Sequence, residues 1–282
     1  MFIFTVLAVR VQAEELLVVQ SLRSKMYQEV VSEAQKACST PRTINISLDE
    51  IAEVDVPRKI RETRAKAVLA VGDKAFRAAI GQRRIPVIGV LTLESDVLPV
   101  NAITISYLAD PAKYLTAFLS MGKKNVAIVY DGKLNAYVRR ADRLARSMGI
   151  TLVKREIRNP KRVSAALESL QNERIDSIWI IPDTNVVRAE TVEPLMRFAS
   201  AKNIPAIVFS KVYLKTGATL AIEPDRSAFG RLAGRMACQA IESGVVPENA
   251  FLASENFSQC ANEVLTRRLG ISVSVFDSNC DI

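Results

Sequence analysis

The sequence predicts an α/β protein of two Rossmann-like, doubly wound lobes joined by crossing strands. Three observations carry this expectation. Short aliphatic runs recur, each ending on a small or polar residue: Val18-Val19-Gln20-Ser21, Ala70-Val71-Gly72-Asp73, Gly89-Val90-Leu91-Thr92, Ile128-Val129-Tyr130-Asp131, Ile180-Ile181-Pro182-Asp183 and Ile207-Val208-Phe209-Ser210. Helical patterns follow most of them, and Val/Ile runs alternating with helices mark parallel strands buried on both faces. The strand–helix series also stops near residues 108–110 and then begins again.

Taken in order, 16–20 reads as a strand and 24–38 as a helix with Met26, Val30, Ala34 and Ala37 on one face. A strand over 44–48 follows, then a helix opened by Pro57, a strand over 67–71, a helix from Gly72-Asp73 through Ile80, and a strand over 86–91. Residues 101–107 alternate as a strand. Asp110-Pro111 supplies an N-cap and a first helical residue for a helix that Gly122 ends. The second series has strands over 125–130, 152–157, 177–181, 206–209 and 219–222, with helices over 135–148, 161–172 and 187–202 between them. A long helix runs from its cap Asp225 to Ser243, stopped by Gly244, and a last helix is expected over 258–269, stopped by Gly270.

Composition narrows the chemistry. The 282 residues contain no histidine, which excludes Ser-His-Asp and Cys-His catalysis and His-ligated metal. No P-loop is present, and no GxGxxG follows the first strand. Neither a cofactor nor a metal is expected. Cys38, Cys238, Cys260 and Cys280 have no CxxC spacing. They are compatible with one or two disulfides in an exported chain or with buried thiols, and the spacing does not choose a pairing. The formal charge is +8. Its basic clusters, at 58–66, 139–146 and 154–162, are interleaved with acids and lack neighbouring aromatics, which favours a solvated face over nucleic-acid binding.

The N-terminus has the look of an export signal over residues 1–13, with an apolar core at 2–9 and Val11-Gln12-Ala13 before Glu14. No basic residue precedes the core and Arg10 follows it; a start codon placed too far downstream would account for the first of these. The other reading is a buried first strand. No run reaches the length of a membrane-spanning helix.

In doubly wound sheets, ligands bind beyond the carboxyl ends of the strands. A zwitterion there needs N–H donors and hydroxyls for its carboxylate, and Ser21, Gly72, Asp73 and Thr92 offer them at helix starts. Its ammonium needs an acid, for which Asp183 and Asp131 are the candidates, supported by Thr184, Asn185 and Ser210. Tyr130 and Phe209 are placed to flank an apolar group, whereas Trp179 lies inside its strand and reads as core. Any one of these polar residues is equally an ordinary cap; Asp183-Thr184-Asn185 stands out because one cap would suffice where three polar residues stand.

These stretches, with Ala109-Asp110-Pro111-Ala112-Lys113-Tyr114, Ile204-Pro205 and Ile222-Glu223-Pro224-Asp225 leading to Gly230-Arg231-Leu232-Ala233-Gly234, resemble ABC-transporter substrate-binding proteins related to the tryptophan/aromatic amino-acid binder. The resemblance covers most of residues 15–271 and implies the type I periplasmic binding fold. It implies one lobe from 14–108 plus about 225–248, and another from 109–224 plus about 249–282. It further implies a periplasmic, monomeric, non-enzymatic receptor that closes on a small polar organic ligand, with an amino acid as first candidate, and delivers it to a membrane permease. Family ligand contacts match Ser21, Gly72, Thr92, Asp183, Thr184 and Ser210. Gly132-Lys133-Leu134-Asn135 and Gln20-Ser21-Leu22-Arg23-Ser24 depart from the aromatic amino-acid binders, so the ligand stays open. The competing readings are a periplasmic sensing module that feeds a signalling partner, and a carboxylate-dependent enzyme on the same fold.

Overall fold

β1 (Glu15–Gln20) and β3 (Ala67–Val71) show how the sheets arise: Leu16–Val19 and Ala67–Val71 are almost wholly buried, so each is covered on both faces. Every such Val or Leu contributes about 1.5–3 kcal/mol of apolar burial. The computed structural model describes residues 15–39, 42–50, 54–82, 84–93, 98–246, 251–252 and 257–272. The expected export signal over 1–13 and Cys280 lie outside the described residues.

The first sheet also contains β2 (Arg42–Ser47), β4 (Val87–Thr92), β5 (Ala102–Ser106) and β11 (Phe251–Leu252), in the order β11-β5-β4-β3-β1-β2. β1 pairs in parallel with both β2 and β3, and β3 with β4. Between these strands run α1 (Lys25–Ala37), α2 (Val56–Thr63) and α3 (Asp73–Ile80). Ser24 caps α1 by accepting the Tyr27 N–H, and Asp55 caps α2 by accepting that of Arg58.

The second sheet comprises β6 (Asn125–Asp131), β7 (Thr151–Ile157), β8 (Ser177–Trp179), β9 (Ala206–Val208), β10 (Leu220–Pro224) and β12 (Phe257–Ala261). Its order is β12-β10-β9-β8-β6-β7, and it is parallel except for β12, which runs antiparallel to β10. The remaining helices are α4 (Pro111–Ser120), α5 (Asn135–Ser147), α6 (Val163–Ser169), α7 (Ala189–Ala201), α8 (Arg226–Ser243) and α9 (Glu263–Arg268). Two parallel-dominated sheets with helices between their strands make this a mixed α/β protein of the doubly wound type.

One expectation is corrected. Residues 257–261 form β12, not the start of the last helix, which is confined to α9. Pairing of Phe257–Ala261 along the outer edge of β10, with Cys260 and Ala261 buried, outweighs the weak helical spacing of that stretch.

Contacts divide the chain into two compact units: Met1–Val90 with Leu98–Ile103 and Gly230–Ala250, and Leu91–Val97 with Thr104–Phe229 and Phe251–Ile282. In the first unit, α8 lies against α1 at backbone distance. A Cβ on Gly234 would stand 2.2 Å from the Ala34 carbonyl oxygen, and one on Gly230 2.6 Å from that of Val30. Only glycine permits this approach. One turn beyond Gly234, Cys238 is disulfide-bonded to Cys38 across 200 residues of sequence. Cys260 is disulfide-bonded as well. The thiol reading of these cysteines is thereby set aside.

The second unit is built around Trp179, which is fully buried among Tyr114, Phe118 and Tyr137, with ring centroids at 4.8, 6.4 and 5.9 Å. The Tyr114 hydroxyl donates to the Ile222 carbonyl and that of Tyr137 to the Ala109 carbonyl, so both phenols are satisfied in the core. Burial raises both hydroxyls well above the usual tyrosine value.

Candidate functional site

In the second unit, parallel strands bring Asp131, Asp183, Ser210 and Glu223 to the carboxyl ends of β6, β8, β9 and β10. β6 ends on Asp131; beyond β8, Pro182 precedes a turn at Asp183. Asp183 is 4 % exposed. Its Oδ1 accepts the N–H groups of Asn185 at 2.8 Å and Val186 at 3.1 Å, and its Oδ2 accepts that of Asp131 at 2.6 Å. Asp131 in turn accepts the Lys133 N–H on Oδ1 and the Asn185 side-chain amide on Oδ2, at 2.9 and 2.6 Å. Asp131, Asp183 and Asn185 are therefore one knot tying two strand ends together. Burial pushes the Asp183 carboxyl above its ordinary value; the three N–H bonds oppose this, and the Asp131 charge adds to it.

Both oxygens of Asp183 are thus engaged by backbone. The spare polar residues that set Asp183-Thr184-Asn185 apart are used differently: Asp183 and Asn185 hold the turn, and Thr184 is exposed at its tip. Tyr130 is 7 % exposed and packs in the cluster that contains Trp179, its hydroxyl donating to Asn135 Oδ1 at 3.2 Å. The ring therefore faces the core.

Beyond β9 and β10 another carboxylate is held by fewer bonds than that of Asp183. Ser210 donates its hydroxyl to Glu223 Oε2 at 3.0 Å, and the Lys211 N–H donates to the same oxygen at 3.0 Å. Glu223 is 7 % exposed and forms no ion pair with a described residue. Next to Ser210 in the chain, Phe209 packs edge-on between Tyr107 and Tyr213, with centroids at 5.9 and 5.3 Å. All three rings are half-buried. Glu223, Tyr107 and Tyr213 are not among the candidate site residues of the sequence, where Glu223 stands only within Ile222-Glu223-Pro224-Asp225. The signal for Glu223 was an acid near the end of a buried strand, in Leu220-Ala221-Ile222-Glu223-Pro224, where a carboxylate must find donors.

At the first sheet, Ser21 follows β1 and its Oγ accepts the Ala75 N–H at 2.9 Å. It supplies the cap that Gly72, as N-cap of α3, lacks. Gly72 has φ +85°, and an added Cβ there would lie 2.4 Å from the Tyr27 hydroxyl. The group close to the Gly72 backbone is thus Tyr27, which the sequence reading passed over. Burial, then the nearby Asp73 charge, raises the Tyr27 hydroxyl above its ordinary value. Asp73 is half-buried in the first turn of α3. Thr92 is fully buried; its carbonyl accepts from Tyr107 N–H and the Ser106 hydroxyl, while its Oγ1 has no partner among the described residues.

Among the described residues, no group of three or more His, Cys, Asp or Glu side chains could hold a metal ion, and no helix is long and apolar enough to cross a membrane.

Sequence comparison matches residues 114–275 to the ABC transporter substrate binding protein family, more than half of the chain. The chain belongs to this family. No curated protein matches it in sequence. The fold is shared with the ligand-free, open form of CD0873, a substrate binding protein with adhesive properties from Clostridium difficile (TM-score 0.72, 17 % identity, 96 % of this chain and 98 % of that one). It is shared too with an ABC domain in complex with L-Trp from Streptococcus pneumonia (TM-score 0.71, 12 % identity, 93 % and 96 %). The transcription regulator CcpA of Lactococcus lactis is also similar (TM-score 0.62, 15 % identity, 88 % and 97 %). At these identities the likeness is one of fold, the type I periplasmic binding fold. A substrate-binding protein of this family binds a small molecule and works with an ABC permease.

Proposed function

We propose that this protein is an exported receptor of an ABC-type importer that closes on a small polar organic ligand, an amino acid first among the candidates. The observation that carries this is the pairing, within one family member, of a buried acid at a strand end, Glu223 with Ser210, and a half-buried aromatic trio beside it. Such a mix of a few polar groups and aromatic walls suits a small ligand with one charged and one apolar part. The L-Trp complex of a structural neighbour is in keeping with that ligand class. Export agrees with the Cys38–Cys238 disulfide, a bond that persists in oxidising compartments.

In this reading, residues 14–108 with 225–248 and 109–224 with 249–282 form two lobes. Ligand that touches both favours a closed state. Ser21, Gly72, Asp73 and Thr92 contribute from one lobe, and Asp131, Asp183, Thr184, Asn185 and Ser210 from the other. Asp183 and Asp131 act by positioning backbone groups, and no catalytic residue is assigned. The test is a thermal-shift screen of the chain from Glu14 against amino acids, amines, sugars and organic acids. A ligand present at a thousand times its Kd stabilises by about 4 kcal/mol, a clear rise in Tm. No stabilisation by any solute would count against the receptor.

A further inference from the structure

The acid that takes a ligand's cationic group is Glu223, we propose, and the ligand is accordingly an ammonium compound with an aromatic or apolar body. This rests on the receptor reading and names the class of solute.

The buried acids differ in how their oxygens are used. Asp183 has both oxygens occupied by backbone N–H groups, and Asp131 has both occupied by the Lys133 N–H and the Asn185 amide. Each of these oxygens already holds part of the knot between β6 and β8, so a ligand cation there would have to share it. Asp142, also buried, is already neutralised by Arg146 and Lys154. Glu223 differs from all three. Ser210 and Lys211 both donate to Oε2, leaving Oε1 without a partner among the described residues. Nor is Oε1 among the buried polar atoms that lack a partner, so it keeps some contact with solvent. A carboxylate that is 7 % exposed, forms no ion pair among the described residues and keeps one oxygen without a described partner is suited to receive a cationic group.

The surroundings narrow the cation. Ser210, which orients the carboxylate, is preceded by Phe209 and followed three residues later by Tyr213. Ring edges and faces of Tyr107, Phe209 and Tyr213 present apolar surface that also attracts a cation through the ring quadrupole. A metal ion would want more oxygens than the one available here. A primary ammonium, with directed N–H donors on a carbon body, uses the free oxygen and the rings together.

Calorimetric titration separates the possibilities, using three probes with one ring system: tryptamine (ammonium only), L-tryptophan (ammonium and carboxylate) and indole-3-propionate (carboxylate only). Wild-type protein is expected to bind tryptamine and L-tryptophan and to bind indole-3-propionate far more weakly. Glu223→Gln keeps a carbonyl for Ser210 and Lys211 and places an amide donor where the free oxygen was. It is expected to leave the Tm unchanged and to weaken both ammonium probes by roughly tenfold or more. The wild-type comparison needs no variant and stands even if Glu223→Gln does not fold. Indole-3-propionate binding as tightly as tryptamine would overturn the proposal, as would a folded Glu223→Gln that binds tryptamine like wild type. Binding of a neutral sugar alone would overturn it and leave the receptor reading intact. Failure of every solute in the wider screen would remove both.

Discussion

Gly234→Ala is the sharpest test of how the first unit is held together. An added Cβ would stand 2.2 Å from the Ala34 carbonyl oxygen and 2.9 Å from its Cα, whereas ordinary contact begins at 3.4 Å. The obstacle is backbone, so no rotamer relieves it. α1 and α8 would have to part by about 1.2 Å, the difference between 3.4 and 2.2 Å, and a gap of that size forfeits a large share of the contact energy along both helices. The Cys38–Cys238 bond, one turn away, resists that separation. Overpacking of this kind costs about 1–3 kcal/mol or more, against about 1 kcal/mol gained from alanine's higher helix propensity. With rigid backbone as the obstacle the upper end of that cost applies, about 3 less about 1, so a net loss of about 2 kcal/mol is expected, read as a lower urea midpoint by far-UV circular dichroism at unchanged m. Gly81→Ala is the control: Gly81 has φ −63°, and an added Cβ meets nothing within 4 Å, so that variant should equal or slightly exceed wild type. If Gly234→Ala were as stable as Gly81→Ala, the close α1–α8 contact would be refuted.

Other outcomes follow from the same structure. Replacing Cys38 and Cys238 with alanine should cost up to about 5 kcal/mol on the loop-entropy account for a 200-residue separation, seen as a lowered Tm under oxidising conditions; an unchanged Tm would deny the bond its role. Asp183→Ala leaves three backbone N–H groups without their acceptor, so it should lower the stability of the second unit by about 3 kcal/mol, measured by Trp179 fluorescence in urea. A variant as stable as wild type would show that the knot is dispensable. Asp142 is buried, which alone would raise its carboxyl, but Lys154 and Arg146 outweigh this and hold it below the ordinary value of 3.8. A depressed pKa gives stability that is present above the unfolded value and lost as pH falls through the folded one. Asp142→Asn should therefore cost about 1 kcal/mol at neutral pH, with the deficit vanishing once the pH is well below 3.8. Asp183 has the opposite sign, since its raised carboxyl makes its contribution decline as pH climbs from 3.8 through the folded value.

Much of the fold was legible because fully buried strands leave an unmistakable trace. β1, β3, β4 and β6 are continuous aliphatic runs with a polar stop, and Asp110-Pro111 announces α4 by a cap and a fixed φ. β12 was not legible: it pairs on one side only, along β10, and its Cys260 and Ala261 can equally be read with helical spacing. β11 is two residues long and owes its existence to β5. Nor could the spacing of four cysteines reveal the Cys38–Cys238 bond, which depends on α8 returning to α1 through Gly230 and Gly234.

The placement of the candidate residues at strand ends was legible, and their hydrogen bonding was not. Strand ends gather the expected polar residues within each sheet, but sequence cannot tell which acid has its oxygens already spent. Asp183 reads as a free acid and is tied to three N–H groups; Glu223, outside the candidate set, keeps one oxygen without a partner among the described residues. Hydrogen bonds between residues far apart in the chain decide this, and no local pattern encodes them.

Isothermal titration of the chain from Glu14 with the standard amino acids and their decarboxylated amines decides whether this family member is a receptor for a small ammonium-bearing solute. Saturable one-site binding by at least one of them is expected, with a negative ΔCp from burial of apolar surface against the Tyr107, Phe209 and Tyr213 rings. Absence of binding by all of them, or a continuous heat that reports turnover, would contradict it.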